Sequence, residues 1–174
     1  METIRHQTGD KLMLNTRAYD VNQLKEYVIR FFSAYDIPEI DARIAADVLV
    51  SADLRGINSH GVIRLHSYYG NRIRKNLINK HSPLKVIKET SVTLALDGGN
   101  GLGQVVGYRA MSRCIKKADQ AGLAVTTVRN SNHFGISGYY AMMALPEDMI
   151  GVSLTNSRPL VAPTYGLRPV IGTN

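Results

Sequence analysis

SVTLALDGGNGLGQVVGYRAMSRCIKKADQAGLAVTTVRN, residues 91–130, decides the fold class. SVTLALDG reads as a strand, GLGQVVGYRAMSRCIKKADQAG as an amphipathic helix closed by Gly122, and LAVTTVRN as a second strand. Strand, helix and strand in succession predict an α/β layer. Just upstream, LKVIKET reads as a further strand, with Thr90 and Ser91 as the turn into SVTLALDG. Downstream, SGYYAMMALP reads as a helix and IGVSLTNS as a strand. The chain carries no internal repeat or low-complexity segment.

Working back toward the N-terminus, the character changes from sheet to helix. Asp20 is a plausible N-cap for VNQLKEYVIRFFSAY, which sets Val21, Leu24, Val28, Phe31 and Phe32 at helical spacing. Asp36 and Pro38 break that helix and open a second, with Ile40, Ile44, Val48, Leu49 and Ala52 on one face and Gly56 as its stop. A third helix, VIRLHSYYGNRIRKN, follows the loop INSHG. The reading is therefore α/β (α+β): a helical region over 20–78, then an α/β unit that begins at 84 and runs to 174. PVIGTN reads as a buried strand or its exit turn, so the unit is expected to be truncated there, or completed by a second chain.

Composition limits the function. With 174 residues, 44% of them hydrophobic, the chain can bury the core of one ordinary domain or two small ones. The formal charge of +7 raises nucleic acid as a partner, but Lys and Arg are dispersed, apart from a modest cluster in RIRKNLINKH. No aromatic stacking series accompanies that cluster, and a solvated basic face that suits anionic small substrates is the better reading. The single cysteine, Cys114, excludes an intrachain disulfide framework and a cysteine-based zinc cluster; it falls within a helical pattern and reads as a packing residue, and no metal site is expected. No run of eighteen apolar residues exists, and METIRHQTGDKL lacks the apolar segment of a signal peptide, so a soluble, cytoplasmic protein without membrane contact is expected.

Three short motifs carry candidate chemistry. Gly101, Gly103 and Gly107 come close to a dinucleotide fingerprint, whose helix N-terminus would hold a pyrophosphate. The fingerprint also requires an acidic residue at the end of the next parallel strand, and LAVTTVRN ends without one, so a glycine-rich turn is the better reading. In SHG, His60 stands four residues before Arg64, a spacing that places both on one helix face toward a single anion. NSNHFG, residues 130–135, sets His133 among small hydrogen-bonding groups at the end of a strand. A lone histidine is more often structural than catalytic, and His66 and His81, without motifs, read as surface residues.

Taken in series, ADLRGINSHGVIRLHSYY, DGGNGLGQ, VRNSNHFGISGYY and SLTNSRPLVAPTYGLRPVIGTN resemble the malate/L-lactate dehydrogenase family of the non-Rossmann kind, whose relatives include ureidoglycolate dehydrogenase, sulfolactate dehydrogenase and diketogulonate reductase. The resemblance runs from about Val21 to the last residue, although members of the family are about twice as long. It implies interconversion of a 2-hydroxy acid and a 2-oxo acid with NAD or NADP, in a homodimer. By motif match it brings Ser59 and His60 into the substrate pocket, makes Arg64 the carboxylate clamp and His133 the second pocket histidine, and sets Ser157 against the cofactor. Asn156, Thr173 and Asn174 are lesser cofactor candidates, and Tyr68 is a possible lining residue.

The residue types suit that chemistry. Hydride transfer to a carbonyl builds negative charge on oxygen, which an imidazolium can neutralise by giving up its proton. Arginine offers a planar fork matched to a carboxylate. Within NSNHFG, the small polar groups are expected to set the tautomer of His133, and Phe134 and Gly135 to turn the chain into the next helix. Which of His60 and His133 gives the proton stays open, as do two other functions: a noncatalytic remnant or interaction module of the family, and an electrostatic nucleic-acid binder whose affinity would fall steeply with salt.

Overall fold

A computed structural model describes residues 18–81, 83–157 and 159–172. Thr173, Asn174 and the N-terminal stretch METIRHQTGDKL lie outside them. Helix α1 spans Val21–Ser33, and the Asp20 carboxylate caps it by accepting from the Gln23 amide at 2.9 Å. Asp36, at a φ of 60°, turns the chain into α2, Glu39–Leu54. Val28, Phe32, Ala42, Ala45, Leu49 and Leu65 form the core where these helices meet. The expected face of α2 needs one correction, because Ile40 is 66% exposed while Ala42, Ala45 and Ala46 are buried. The small alanines let α2 pack closely against its neighbours, and Ile40 falls outside that face.

The expected third helix is not one regular α-helix. A 3₁₀ turn at Asn58–His60 leads to a π-helical segment at Leu65–Gly70, which passes into a short α3, Asn71–Arg74. A π turn holds more residues than an α turn and recurs at functional sites. Here it carries Tyr68, half-buried, and Tyr69, fully buried, side by side.

Strands β1, Lys85–Glu89, and β2, Thr93–Gly101, form an antiparallel hairpin, and β2 pairs in parallel with β3, Val125–Ser131. Helix α4, Gly103–Ala121, makes the crossover and ends at Gly122, whose φ of 77° gives the left-handed stop expected of a glycine. Cys114 lies within it and donates to the Ala124 carbonyl at 3.5 Å. Leu102 and Val105, at the start of α4, belong to the same apolar cluster as α1 and α2, whereas Leu94 and Leu96 of β2 pack with Ala110 of α4 in a second, smaller cluster. The ion pair Arg109–Asp41, at 2.6 Å, crosses the same junction.

Helix α5, Ser137–Met142, is shorter than SGYYAMMALP and is followed by a 3₁₀ turn at Leu145–Glu147. IGVSLTNS is not a strand; residues 149–157 have no regular structure, and Ile150, Val152 and Leu154 are 95%, 69% and 88% exposed. Nor is the region of PVIGTN buried: Val170 is 66% and Ile171 48% exposed, and Ile171 makes only an isolated bridge with Val161. Apolar composition favours a strand, but a strand forms only where a neighbour supplies backbone partners, and that is a long-range matter.

Candidate functional site

The site is built where the loop after β3 meets the segment between α2 and α3. Asn132 anchors the loop: its amide nitrogen donates to the Asn100 and Gly101 carbonyls at 3.0 and 2.8 Å, and its oxygen accepts from Arg72 at 2.9 Å. Asn130 donates to the Asp97 carboxylate at 2.9 Å. These groups fix the loop but none of these bonds reaches the imidazole, which corrects the expectation that they set its tautomer. The ring's partners are instead the Tyr69 hydroxyl, 2.8 Å from Nδ1, and the Gly135 amide, which donates to Nδ1 at 3.2 Å. Tyr69 was not legible in the sequence, because nothing in SYYG separates the tyrosine that packs from the one that bonds. Gly135, at a φ of 85°, makes the expected turn toward α5.

Opposite this loop, the SHG segment is held by a residue that sequence reasoning also missed. Asp53 accepts from the Val62 amide at 2.8 Å, and a Cβ on Gly61 would lie 2.0 Å from its carboxylate oxygen. A side chain at 61 would therefore have to displace the Asp53 carboxylate and its bond to the Val62 amide. His60 and Arg64 do not share one continuous helix, since Gly61 between them is extended. They are nonetheless close. Arg64 donates through Nε to the Ser59 carbonyl, and Ser59 Oγ lies 2.9 Å from His60 Nδ1.

The two segments meet as a cluster. The rings of His60 and His133 stack with centroids 5.3 Å apart, and Tyr68 lies 5.2 Å from His133. The guanidinium carbons of Arg64 and Arg72 lie 6.0 and 5.3 Å from the Tyr68 ring centroid. Burial, then the Arg64 charge, then His60 push the His133 pKa down to about 4, and burial followed by Arg64 also lowers that of His60. His133 is therefore neutral near pH 7, whereas the sequence reading expected a ring poised for protonation. Of the remaining predicted site residues, Ser157 is half-buried and Asn156 exposed in the irregular stretch 149–157, and Thr173 and Asn174 are outside the described residues. His66 and His81 are exposed, as expected.

This shift has a consequence for stability. A histidine whose folded pKa is lowered stabilises the fold above its unfolded value of about 6.5, and that stability is lost as pH falls from there to about 4. Allowing for the ring's partial exposure, the loss is on the order of 1–2 kcal/mol. Denaturation of the parent and of His133→Asn across this range should give a difference curve with that slope. A flat difference would show that His133 titrates normally.

The glycines of DGGNGLGQVVG bear on cofactor binding. A Cβ on Gly98 would lie 2.9 Å from the Asn130 carbonyl oxygen, one on Gly103 2.2 Å from that of Asn132, and one on Gly107 2.8 Å from the Tyr140 ring. At these three positions the space a side chain would need is filled by the protein's own chain. Among the described residues no group of three or more His, Cys, Asp or Glu could hold a metal, and no helix is long and apolar enough to cross a membrane.

The chain is thus a mixed α/β protein, a β-hairpin extended by a parallel crossover, in which His60 and His133 stack within reach of the Arg64 charge. The sequence profile of malate/L-lactate dehydrogenases matches residues 19–174, and the chain belongs to that family. The malate dehydrogenase of Pyrococcus horikoshii is 51% identical over 153 residues, which are 88% of this chain and 42% of that protein. The L-sulfolactate dehydrogenase of Methanocaldococcus jannaschii is 45% identical over 150 residues, 86% of this chain and 43% of that one. A solved structure of the Pyrococcus horikoshii malate dehydrogenase superposes with a TM-score of 0.87 at 49% identity, covering 90% of this chain and 45% of that one. The chain thus spans less than half the length of the relatives it matches.

Proposed function

We propose that the chain carries the acid–base and carboxylate-binding part of an NAD- or NADP-dependent dehydrogenase that interconverts a 2-hydroxy acid and a 2-oxo acid. One observation carries this reading: His60 and His133, far apart in sequence, stack at 5.3 Å with the Arg64 charge acting on both. Membership of the malate/L-lactate dehydrogenase family supports it.

In this reading the Arg64 guanidinium pairs with the substrate carboxylate through N–H groups other than the Nε–H held by Ser59, and the histidines meet the substrate oxygen. Burial is the largest cause of the depressed imidazole pKa values, and the Arg64 charge comes next. An anionic substrate that pairs with Arg64 cancels the second cause, so its arrival raises the proton affinity of both rings. The proton needed at the nascent alkoxide is then taken up together with the substrate. Ser59 orients His60 through Nδ1. When bound, the nicotinamide supplies or accepts the hydride at the substrate carbon. Asn156 and Ser157, with Thr173 and Asn174, are the residues proposed to hold it; their neutral amides and hydroxyls suit the carboxamide and ribose hydroxyls. The protein is further proposed to act as a soluble homodimer.

The test is turnover of 2-oxo acids with NADH and NADPH, comparing the parent with Arg64→Lys. Lysine keeps the charge and loses the fork, so kcat/KM should fall roughly 10- to 100-fold. Unchanged kinetics would remove Arg64 from the site. No turnover and no nicotinamide binding would favour a noncatalytic member of the family.

A further inference from the structure

The π-helical segment delivers a buried phenol to a catalytic candidate, a contact between two motifs that neither motif shows by itself. Tyr69 is 0% exposed, and its hydroxyl lies 2.8 Å from His133 Nδ1. The Gly135 amide, which can only donate, is directed at the same nitrogen at 3.2 Å. A nitrogen that accepts from a backbone N–H carries no proton of its own in the neutral ring. The phenol is therefore the second donor to Nδ1, and the ring proton resides on Nε2. Gln104, also 0% exposed, acts on the acidity of Tyr69, and its amide makes no hydrogen bond of ordinary geometry. An amide N–H facing the phenol oxygen would keep the hydroxyl hydrogen turned toward His133.

We infer that Tyr69 is a positioning residue that, with the Gly135 amide, fixes His133 as the Nε2–H tautomer, so that the neutral ring meets the substrate oxygen as a hydrogen-bond donor. The catalytic use of this tautomer rests on the dehydrogenase reading above; the tautomer itself does not. When His133 takes up a second proton, the Gly135 N–H cannot turn to accept from Nδ1, and the phenol must rotate to do so. The contact therefore favours the neutral ring over the charged one. The charged and titratable groups that face His133 are His60, Arg64, Tyr68 and Tyr69, and Tyr69→Phe leaves the first three in place while keeping the packing of the ring.

The experiment is a ¹⁵N and ¹³C NMR titration of the histidine side chains in the parent chain and Tyr69→Phe, with His133 identified by its absence in His133→Asn. In the parent, His133 should show the Nε2–H tautomer and a hydrogen-bonded Nδ1. In the phenylalanine variant the Nδ1 signal should move toward that of an unbonded nitrogen, and the midpoint should rise by about one pH unit, a tenfold gain in proton affinity, as one donor to the neutral form is lost. A folded Tyr69→Phe with the same Nδ1 signal and midpoint overturns the proposal. Should that variant fail to fold, the parent decides: an Nε2–H ring with a hydrogen-bonded Nδ1 supports it, and a proton on Nδ1 overturns it. Turnover with a 2-oxo acid and NADH is scored separately, so that its absence counts against the dehydrogenase reading while the NMR result still settles the tautomer.

Discussion

Turnover of a 2-oxo acid is expected to fall by ~10²- to 10⁴-fold when the histidine that exchanges the proton, His60 or His133, is replaced by alanine in the active protein. Both can be removed without opening the apolar core, because His60 closes a 3₁₀ turn and His133 stands in the loop after β3; neither belongs to the cluster centred on Phe32 and Leu49. The two variants should nonetheless differ. His60 is bonded to Ser59 and lies toward the outside, whereas His133 is backed by Tyr69 and Gly135. The variant with the larger loss in kcat identifies the group that passes the proton, and the other should weaken mainly the polarisation of the carbonyl. Steady-state kinetics of both variants, with circular dichroism to verify folding, make the comparison. Near-normal rates in both would show that the histidines are structural and that the proton comes from elsewhere.

Gly103→Ala is expected to be among the most damaging single substitutions outside the acid–base cluster. The added Cβ would lie 2.2 Å from the Asn132 carbonyl oxygen and 2.4 Å from that of His133, and backbone atoms cannot swing aside as the tip of a side chain can. Either α4 or the histidine loop must move. The cost should reach or exceed about 3 kcal/mol, the upper end for overpacking in a close-packed interior. The displaced loop should also disturb the His133 contact with Tyr69. Chemical denaturation and the His133 NMR signal report the two effects together. A variant as stable as the parent, with an unmoved imidazole, would mean that the approach of α4 to the loop is looser than these distances require.

The same glycine shows how far local pattern reaches. From sequence, Gly101, Gly103 and Gly107 had two readings, a phosphate cradle or a packed turn, and the absence of an acidic residue after LAVTTV favoured the turn. What fills the space at Gly103 is the carbonyl of Asn132, a residue about thirty positions away, and no window of sequence contains that contact. In the same way Asp53 explains the glycine of SHG only once α2 and the following loop are folded against each other.

What the sequence determined by itself is what repeats locally: the amphipathic period of α1 and α4, the Asp20 cap, the stop at Gly122, the alternation of β2, and the residues of SHG and NSNHFG. These follow from side-chain spacing and backbone preference, which act over a few residues. Tertiary structure decided the rest. IGVSLTNS has the composition of a strand but has no strand partner among the described residues, so Ile150 and Leu154 stay exposed. The segment LHSYYG winds as a π-helix, which carries Tyr69 to His133. The pKa of His133 was set there too: a histidine in a polar loop is ordinary by composition, and burial beside Arg64 is what lowers it. Burial and charge proximity depend on which distant segments meet, and that is settled by packing rather than by neighbours in the chain.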